Sequence, residues 1–506
     1  MILDTKFPNR HNSIRFLKNC VLCRQSELFY MRRFPKKSLL LILSFSILAS
    51  CLRNSKETVD IIIRNGKVID LETGEIKQKD IYIENGRIKN LGNSDSLLLY
   101  NGNKLIDAKG KYILPGFWDN HVHFRGGKNL ISNNRNFLKL FIANGVTTVR
   151  DAGGDLTPSV LQWKKGISEG NLLGPDIFTS GPKIDGPNAT WAGSLEVKNE
   201  LDIQKVLDSL MSLKTDFVKL YDSRISGELY LKTIEEAEKI GLITSGHMPF
   251  TVNLDETIEA GIDAIEHLYY VMKGCSSIEE DITQQLLDKS IGFWGAMPLL
   301  LHSYEEGTAE KAFAQLKTNN VYVVPTLHIG KVLSYLDDVN HKEDPYLKYL
   351  EEAFIKTYER RINGALMASA ERRRERKELD HFFGKLTYNL YKAGVGILAG
   401  SDCGAYNSYV YPGISLHKEL EALVNAGMSP LEALKASAYN GSKFLKKEND
   451  YGFIAKGKIS DLVLLAENPL EDISNTQKID FVIKGDAVFN AEALRRLLKE
   501  AEIEKN

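Results

Sequence analysis

Eight short apolar segments, each followed by enough residues for a helix, constrain the fold of this chain more than any other feature. In chain order they are FWDNHVH, GVTTVRD, DIFTSGP, DFVKLYD, GLITSGH, IDAIEH, VYVVPTL and GVGILAGSD. Apolar runs of this length that alternate with helical segments predict parallel strands joined by helical crossovers. Eight is the number of such units that closes a barrel. The sequence therefore predicts an α/β protein with a (β/α)8 TIM-type barrel over residues 116–446.

The segments on either side of the predicted barrel have a different pattern. Residues 59–115 contain short β-branched runs with the turn pairs Asn65-Gly66, Thr73-Gly74 and Asn85-Gly86, which are typical of β-hairpins. Short runs with glycine turns return over residues 447–490, in DLVLLAENP and IDFVIKGDAVF. We therefore expect both ends to build one small composite β-sandwich, followed by a C-terminal helix over residues 491–506.

The N-terminal segment carries the features of a secretion signal. From Met31, four positive charges precede thirteen mostly apolar residues and then Cys51. This order is typical of a signal peptide, and its apolar part is too short to span a bilayer as a stable helix. The motif Leu48-Ala49-Ser50-Cys51 resembles the lipobox of bacterial lipoproteins, in which the cysteine is lipidated. An ordinary cleaved signal with a coincidental cysteine is the alternative.

This interpretation divides the N-terminal segment into an upstream extension, a signal peptide and a tether. The ranges are residues 1–30, 31–50 and 51–58, and translation can start at Met1 or at Met31. We expect a bacterial cell-envelope protein that is held to the membrane by a lipid on Cys51 and faces the periplasm or the exterior. The chain has 65 basic and 66 acidic residues, and this balance predicts no nucleic-acid partner.

Polar side chains stand at the carboxyl ends of the predicted strands. His121 and His123 end the first, Lys219 lies in the fourth, His247 and His267 end the fifth and sixth, and Asp402 ends the eighth. In such barrels these ends meet at one rim, where the chemistry takes place. Residues two apart in a strand share one face, so His121 and His123 can converge on a metal ion. Four of the chain's ten histidines lie at such positions.

Each of these residues also has a purely structural interpretation. Asp402 can cap the helix that follows it. Lys219 can be a surface lysine, although its apolar neighbours indicate burial, and a buried lone ammonium requires a partner or a modification. Arg150 and Tyr221 lie near strand ends, where they can bind a substrate carboxylate or an oxyanion, or fill core and salt-bridge positions.

The order HVH, lysine, histidine, histidine and aspartate on successive strands resembles the amidohydrolase superfamily. Within it, the chain is similar to the imidazolonepropionase-like and metal-dependent Xaa-Pro dipeptidase (prolidase-like) branch. Further matches, spread over roughly residues 60–485, are LPGF (114–117), GVTTVRDAGG (145–154), GIDAIEH (261–267), VPTL (324–327), AGSD (399–402), AGMSPLEAL (426–434) and GKISDLVLL (457–465). The resemblance implies the same barrel with its composite β-sandwich and a metal-dependent hydrolase acting on C-N bonds.

The resemblance also implies two divalent metal ions, most consistent with Zn²⁺ because the site is rich in imidazole. The six ligands would be His121, His123, Lys219, His247, His267 and Asp402. The first two histidines and Asp402 would bind one ion, and the other two histidines the second. Lys219, carboxylated by CO2, would bridge the ions, since an uncarboxylated ammonium would repel them. Asp402 would be the catalytic residue that moves a proton from a metal-bridging hydroxide to the leaving amine.

We therefore predict a binuclear hydrolase that cleaves amide C-N bonds in small N-acyl amino acid or dipeptide-like substrates. One alternative is a mononuclear cyclic-amide hydrolase or deaminase, whose known relatives lack the bridging lysine. Another is a catalytically inactive lipoprotein that only binds a ligand. Long linkers before strands seven and eight, and Cys403 beside Asp402, depart from the family and leave the substrate side chains open. The oligomeric state is also left open.

Overall fold

The computed structural model describes residues 56–93 and 99–504. The predicted signal peptide (31–50) and lipidation site, Cys51, lie outside the described residues. Within the described ranges, no helix combines the length and the apolar character that a bilayer crossing requires.

The N-terminal part contributes five strands to the composite β-domain. They are β1 (Glu57–Ile69), β2 (Ile76–Glu84), β3 (Arg87–Gly92), β4 (Tyr100–Asp107) and β5 (Tyr112–Pro115). Alternation along β1 buries Ile61 and Ile63 in one apolar cluster and Ile62 in another.

One of the predicted turns is wrong. Asn65-Gly66 is not a turn but an irregularity inside β1, where the register with β2 shifts between Ile63 and Gly66. Asn65 adopts a positive φ of 61°, and its N-H donates to Asp80 Oδ1 at 2.8 Å. A side chain at Gly66 would meet Ile113 at 2.2 Å, so close packing explains this glycine.

Each of the eight predicted apolar runs contains a strand of the barrel. Between the described residues 117 and 397 the strands are β6 (Phe117–Val122), β7 (Val146–Asp151), β8 (Asp176–Thr179), β9 (Ile184–Asp185), β10 (Leu195–Glu196), β11 (Val218–Leu220), β12 (Thr244–Gly246), β13 (Ala264–Glu266), β14 (Tyr322–Val324) and β15 (Gly396–Ile397). All pairings among them are parallel. The short strands β9 and β10 extend the sheet beside β11.

Backbone hydrogen bonds close the ring of strands. Asp216 N donates to Thr179 O at 2.9 Å and joins β8 to the segment before β11. Asn120 N donates to Ala399 O at 3.0 Å, and Asp402 N donates to His121 O at 2.7 Å. The first and last strands are thus in contact, and the predicted α/β barrel is confirmed.

Helices connect these strands on the outside of the barrel. They are α1 (Ile131–Ala143), α2 (Thr157–Ser168), α3 (Glu200–Leu213), α4 (Gly227–Lys239), α5 (Leu254–Glu259), α6 (Tyr269–Gly274), α7 (Glu279–Leu287), α8 (Phe293–His302), α9 (Glu306–Thr318), α10 (Leu327–Ser334), α11 (Glu352–Lys356), α12 (Glu359–Leu366), α13 (Ala370–Ala393), α14 (Ile414–Asn425), α15 (Pro430–Leu434) and α16 (Asn440–Phe444). The long connections before β14 and β15 hold four helices each, α6–α9 and α10–α13. Ser429 is the N-cap of α15, and its side chain accepts from Glu432 N.

The C-terminal strands complete the sheet that the N-terminal strands begin. They are β16 (Leu462–Leu465), β17 (Ile479–Lys484) and β18 (Ala487–Asn490), followed by α17 (Ala491–Ala501). β16 pairs antiparallel with β5, with Leu462 opposite Pro115 and Leu464 opposite Ile113. The eight strands have the order β18-β17-β16-β5-β1-β2-β3, with β4 paired to β1. Both ends of the described chain therefore build one β-domain, and β5 leads directly into the first barrel strand.

Candidate metal centre

Three of the predicted ligand residues form a compact group at the carboxyl end of the barrel. The Nε2 atoms of His121 and His123 lie 3.2 Å apart. Asp402 Oδ1 lies 3.5 Å from the first and 3.2 Å from the second. Candidate ligand atoms of the three residues all lie within 4.8 Å of one another, and the residues are buried. This spacing suits a single cation between them.

The remaining two predicted histidines continue this cluster. His267 Nε2 lies 4.0 Å from Asp402 Oδ2, and the His267 ring lies 5.2 Å from the His121 ring between centroids. The His247 ring lies 4.8 Å from the His267 ring. The structure therefore brings together four imidazoles from three strands of the barrel.

The four imidazoles are held in the same way. The Nδ1 atom of each faces an oxygen atom: a Glu266 carboxylate oxygen for His121, Gly153 O at 2.9 Å for His123, Asp222 Oδ1 at 3.2 Å for His247 and Thr326 Oγ1 at 2.7 Å for His267. Partners of this kind fix the ring and its tautomer and leave Nε2 free to bind a metal. Three of the Nε2 atoms lie within 4.0 Å of an Asp402 oxygen.

Lys219 lies beside this cluster in β11 and is fully buried. Its Nζ atom makes no hydrogen bond within the described part of the chain, and the nearest carboxylate oxygen, Glu266 Oε1, is 3.4 Å away. Burial lowers the pKa of Lys219 to about 8. A lowered pKa increases the fraction of neutral amine, which is the form that can be carboxylated by CO2. A buried amine that makes no hydrogen bond to the described residues and lies beside four imidazoles fits a lysine that becomes an anionic ligand.

The protonation states also suit metal binding. Burial lowers the pKa of His123, His247 and His267, so these rings are neutral, as metal ligands must be. Burial alone would raise the pKa of Asp402. The electrostatic attraction of the neighbouring imidazoles, that of His121 first, outweighs it and holds the pKa of Asp402 well below its usual range. Asp402 is therefore an ionised carboxylate.

Two of the six predicted ligand residues have strained backbones. His267 has a φ of 66° and Asp402 a φ of 55°, which lie in the left-handed region. Such conformations cost about 1–3 kcal/mol each and persist only where the surroundings enforce them. Asn407 Nδ2 donates to Asp402 Oδ1 at 2.7 Å, and Asp119 accepts from the neighbouring Ser401 N at 2.8 Å. These contacts fix the turn that presents the Asp402 carboxylate to the imidazoles.

The structure distinguishes the two roles considered for Arg150 and gives Tyr221 a place. Arg150 is fully buried and forms an ion pair with Glu266 at 3.0 Å, so it fills a salt-bridge position. The Tyr221 ring lies 4.4 Å from the His247 ring and 6.2 Å from the Trp191 ring. Tyr221 is thus part of the wall beside the imidazoles.

Two cations at this rim were not predicted from the sequence. Arg125 and Lys183 are 4% and 2% exposed. The Arg125 guanidinium lies 4.2 Å and the Lys183 Nζ atom 4.8 Å from the centre of the Trp191 ring. A cation–π contact contributes about 0.5–2 kcal/mol, whereas burying an ion costs several kcal/mol. Arg125 follows His123 by two residues, and Lys183 follows the third apolar run, which are the only sequence signals for them.

Comparison with known proteins indicates the class of the chain. The sequence model of the Amidohydrolase family matches residues 385–488. Over these residues the chain is similar to the amidohydrolase superfamily. The specific prolidase-like branch remains a proposal.

Particular relatives cover different parts of the chain. Adenine deaminase of Listeria welshimeri is 33% identical over 96 residues, which are 19% of this chain and 15% of the deaminase. The chain thus spans about 15% of the length of that relative. Ochratoxinase of Aspergillus niger is 22% identical over 440 residues, 74% of this chain and 75% of that protein. The solved structure of bottromycin amidohydrolase has a TM-score of 0.69 at 21% identity and covers 87% of this chain and 89% of its own.

Proposed function

We propose that this chain is a metal-dependent hydrolase of the prolidase-like branch that cleaves amide C-N bonds in N-acyl amino acids or dipeptide-like substrates. The observation that supports this most strongly is that an oxygen atom holds the Nδ1 atom of each of the four imidazoles. Rings fixed in this way are arranged for metal binding rather than for core packing. The names of amide-cleaving relatives among the similar proteins point in the same direction.

The donor set fits two divalent ions, and the imidazole content favours zinc. His121, His123 and Asp402 would hold one, and His247 and His267 the other. Lys219 would contribute a carbamate, formed when its neutral amine attacks CO2 and loses a proton, and so would supply an anionic ligand. When bound, such ions lower the pKa of a water molecule toward neutrality and polarise the substrate carbonyl.

Asp402 is the candidate proton carrier. Its carboxylate is ionised, and Oδ1 is held by Asn407 Nδ2 at 2.7 Å. Oδ2 faces the His267 side of the cluster and remains able to accept a proton from the attacking water. Asp402 would then return this proton to the amine nitrogen as the C-N bond breaks.

The substitution Asp402→Asn tests this role. Asparagine keeps the shape but cannot hold the proton, so we expect metal content to stay near that of the wild type and kcat to fall by about 10²–10⁴-fold. Asp288→Asn makes the same change at an exposed helix end and should leave kcat unchanged. Near-normal turnover by Asp402→Asn would remove the aspartate from the mechanism.

Metal analysis separates the binuclear proposal from its mononuclear alternative. We expect two zinc ions per chain, and we expect the second to depend on bicarbonate during reconstitution because Lys219 requires CO2. About one ion per chain, unaffected by bicarbonate, would favour a mononuclear cyclic-amide hydrolase or deaminase.

A substrate screen tests the reaction itself. The zinc-reconstituted protein without its first 51 residues is assayed against a library of N-acyl amino acids and dipeptides, with lactones and cyclic amides as further classes. Hydrolysis of acyclic amides would support the proposal. A fully metal-loaded protein without turnover on any class would instead favour a binding lipoprotein.

We also propose that Cys51 is lipidated and anchors the protein to the bacterial cell envelope. The charged, apolar and lipobox segments in the order typical of lipoproteins support this proposal. Labelled palmitate should enter the wild-type protein and not the Cys51→Ala variant. Incorporation that survives this substitution would contradict the anchor.

A further inference from the structure

A pair of buried cations beside the metal centre has no assigned partner. Lys183 Nζ makes no hydrogen bond within residues 56–93 and 99–504. Arg125 donates from Nε to Ala405 O at 2.8 Å, and this acceptor is a neutral carbonyl. The other close neighbours of both cations are aromatic rings, those of Trp191, Tyr221 and Tyr406. Neither side chain therefore forms an ion pair in the described part of the chain, and burial holds the pKa of Lys183 well below its usual range.

Another buried lysine shows what a structural role looks like in this protein. Lys273 is also fully buried, but its Nζ atom donates to three acceptors: Val252 O at 3.0 Å, Asn253 Oδ1 at 3.1 Å and Glu279 Oε1 at 3.1 Å. Buried charges in proteins are normally satisfied in this way. Lys183 has the same burial without any of these contacts, so its position is not explained by packing.

The two cations border the same rim as the imidazoles. The Lys183 stem packs against Gly153, because a Cβ atom built there would lie 3.0 Å from Lys183 Cγ. The carbonyl of Gly153 is the group that holds His123 Nδ1. On the other side, Lys183 Nζ lies 5.3 Å from the centre of the Tyr221 ring, which contacts the His247 ring. Lys183 is therefore placed next to both candidate metal sites, and Arg125 lies against the same Trp191 ring as Lys183.

We propose that Lys183 and Arg125 form a subsite for a carboxylate of the substrate, and that the enzyme therefore selects amides that carry a free carboxylate. This inference rests on the proposed hydrolase function and specifies its substrate class. An anion between the two side chains supplies the counter-charge that both lack, and the Trp191 ring provides an apolar wall beside it. Neutral amides would leave both cations unpaired and bind poorly.

The kinetic test compares two amides that differ only in the carboxylate. N-acetyl-L-phenylalanine and N-acetylphenethylamine share the acetyl group and the phenylethyl skeleton of the leaving amine, and they differ in the carboxylate on the carbon that carries the nitrogen. We expect the wild-type enzyme to prefer the acid in kcat/KM by about 100-fold, equivalent to two tenfold steps in affinity. Lys183→Met and Arg125→Met should each reduce this preference by about tenfold or more, because the loss of kcat/KM is larger for the acid than for the neutral amide. Two independent variants keep the test valid if one of them fails to fold.

A binding measurement makes the test independent of turnover. Calorimetry with 3-phenylpropionate and its neutral amide is carried out on metal-loaded and metal-free protein, so that binding of the carboxylate to the ions can be recognised. The wild type should prefer the anion in both forms, and Lys183→Met should lose that preference. Lys165→Met, which removes a lysine with a side chain that is 75% exposed, is the charge control and should bind like the wild type.

The outcomes separate the two proposals. Equal hydrolysis of both amides by the wild type would overturn the carboxylate subsite and leave the hydrolase proposal standing. Anion preference that persists in Lys183→Met and Arg125→Met would also overturn it. If neither amide is hydrolysed while the calorimetric preference is present and lost in the variants, the subsite stands and the proposed reaction fails.

Discussion

Glu266 is the residue at which the charged side chains beneath the metal centre meet. Its carboxylate forms an ion pair with Arg150 at 3.0 Å, lies 3.4 Å from Lys219 Nζ and contacts His121 Nδ1. Burial alone would raise the pKa of Glu266, but Arg150, His121 and Lys219 outweigh it and hold the pKa well below its usual range. An ionised carboxylate at this place fixes the His121 ring with Nε2 toward the rim.

The substitution Glu266→Gln should therefore weaken metal binding without removing a ligand. We expect the zinc dissociation constant to rise by about 10–100-fold, because the neutral amide holds His121 and Arg150 less well. Competition against a chromophoric chelator measures this constant. Glu259→Gln, the same change at an exposed position, should not alter it. An unchanged constant in Glu266→Gln would show that the His121 ring is held by other contacts.

The sequence predicts the positions of those side chains whose place is decided by backbone geometry alone. His121, His123, His247, His267 and Asp402 stand at or just beyond the ends of parallel strands, and such ends share a rim in any closed barrel. Lys183 follows β8 in a loop, and its place depends on Gly153, which is distant in sequence, and on Trp191 in the next loop. Contacts of that kind leave no periodic signal. Glu266 directly precedes His267, but only the folded barrel shows that it reaches His121.

The start of α10 is held by a carboxyl group from another helix. Glu419 in α14 accepts from Leu327 N at 3.0 Å and from His328 N at 2.7 Å. These are backbone donors at a helix start that have no partner inside the helix. Glu419 is fully buried, and burial raises its pKa to about 8. The carboxyl group is therefore protonated in the folded protein at pH values at which the unfolded chain has lost the proton.

This raised pKa makes stability depend on pH. Between about pH 4.5 and pH 8 the folded state holds a proton at Glu419 that the unfolded state lacks, so this contribution falls as pH rises. Glu419→Gln removes the dependence. We compare the free energy of unfolding of the variant with that of the wild type. The difference should change by roughly a few kcal/mol in favour of the variant between about pH 5.5 and about pH 8.5. Denaturant titrations at both pH values measure it.

The control for this prediction is Glu228→Gln, which changes an exposed carboxylate in the first turn of α4. Its unfolding free energy should follow the wild type at both pH values. If Glu419→Gln also follows the wild type, the carboxyl group of Glu419 does not carry a proton across this range.

The elements that the sequence predicted well are those with a strong periodic or apolar signal. The eight barrel strands were located because buried parallel strands are nearly continuous apolar runs. The helices of the two long insertions could not be delimited, since several are short and are fixed by tertiary contacts. α6 has six residues, and α8 contains Pro298 in its interior. The pair Asn65-Gly66 predicts a turn, whereas β1 has an irregularity there, because such a pair favours a positive φ both in turns and in bulges.

A lysine at the junction connects the β-domain to the barrel. Lys484, at the end of β17, donates to Asp461 Oδ2 and to Asp176 Oδ2, both at 2.8 Å. Asp176 begins β8 of the barrel, whereas Asp461 directly precedes β16. Burial alone would lower the pKa of Lys484, but the two carboxylates outweigh it and raise the pKa. The ammonium therefore stays charged and holds both carboxylates at the junction.

Lys484→Met should destabilise the protein by about 3–5 kcal/mol near neutral pH, because it leaves the buried Asp461 carboxylate without its cation. Burial already raises the pKa of Asp461, and loss of Lys484 raises it further, so Asp461 takes up a proton as pH falls. The destabilisation should therefore be smaller at about pH 5 than at about pH 8. Lys478→Met, at a pair with Glu467 in which the side chains are 47% and 55% exposed, should cost about 0–1 kcal/mol at both. Unfolding midpoints of the three proteins measure these differences. If Lys484→Met loses the same stability at both pH values, the cause is lost packing at the junction and not an unpaired buried charge.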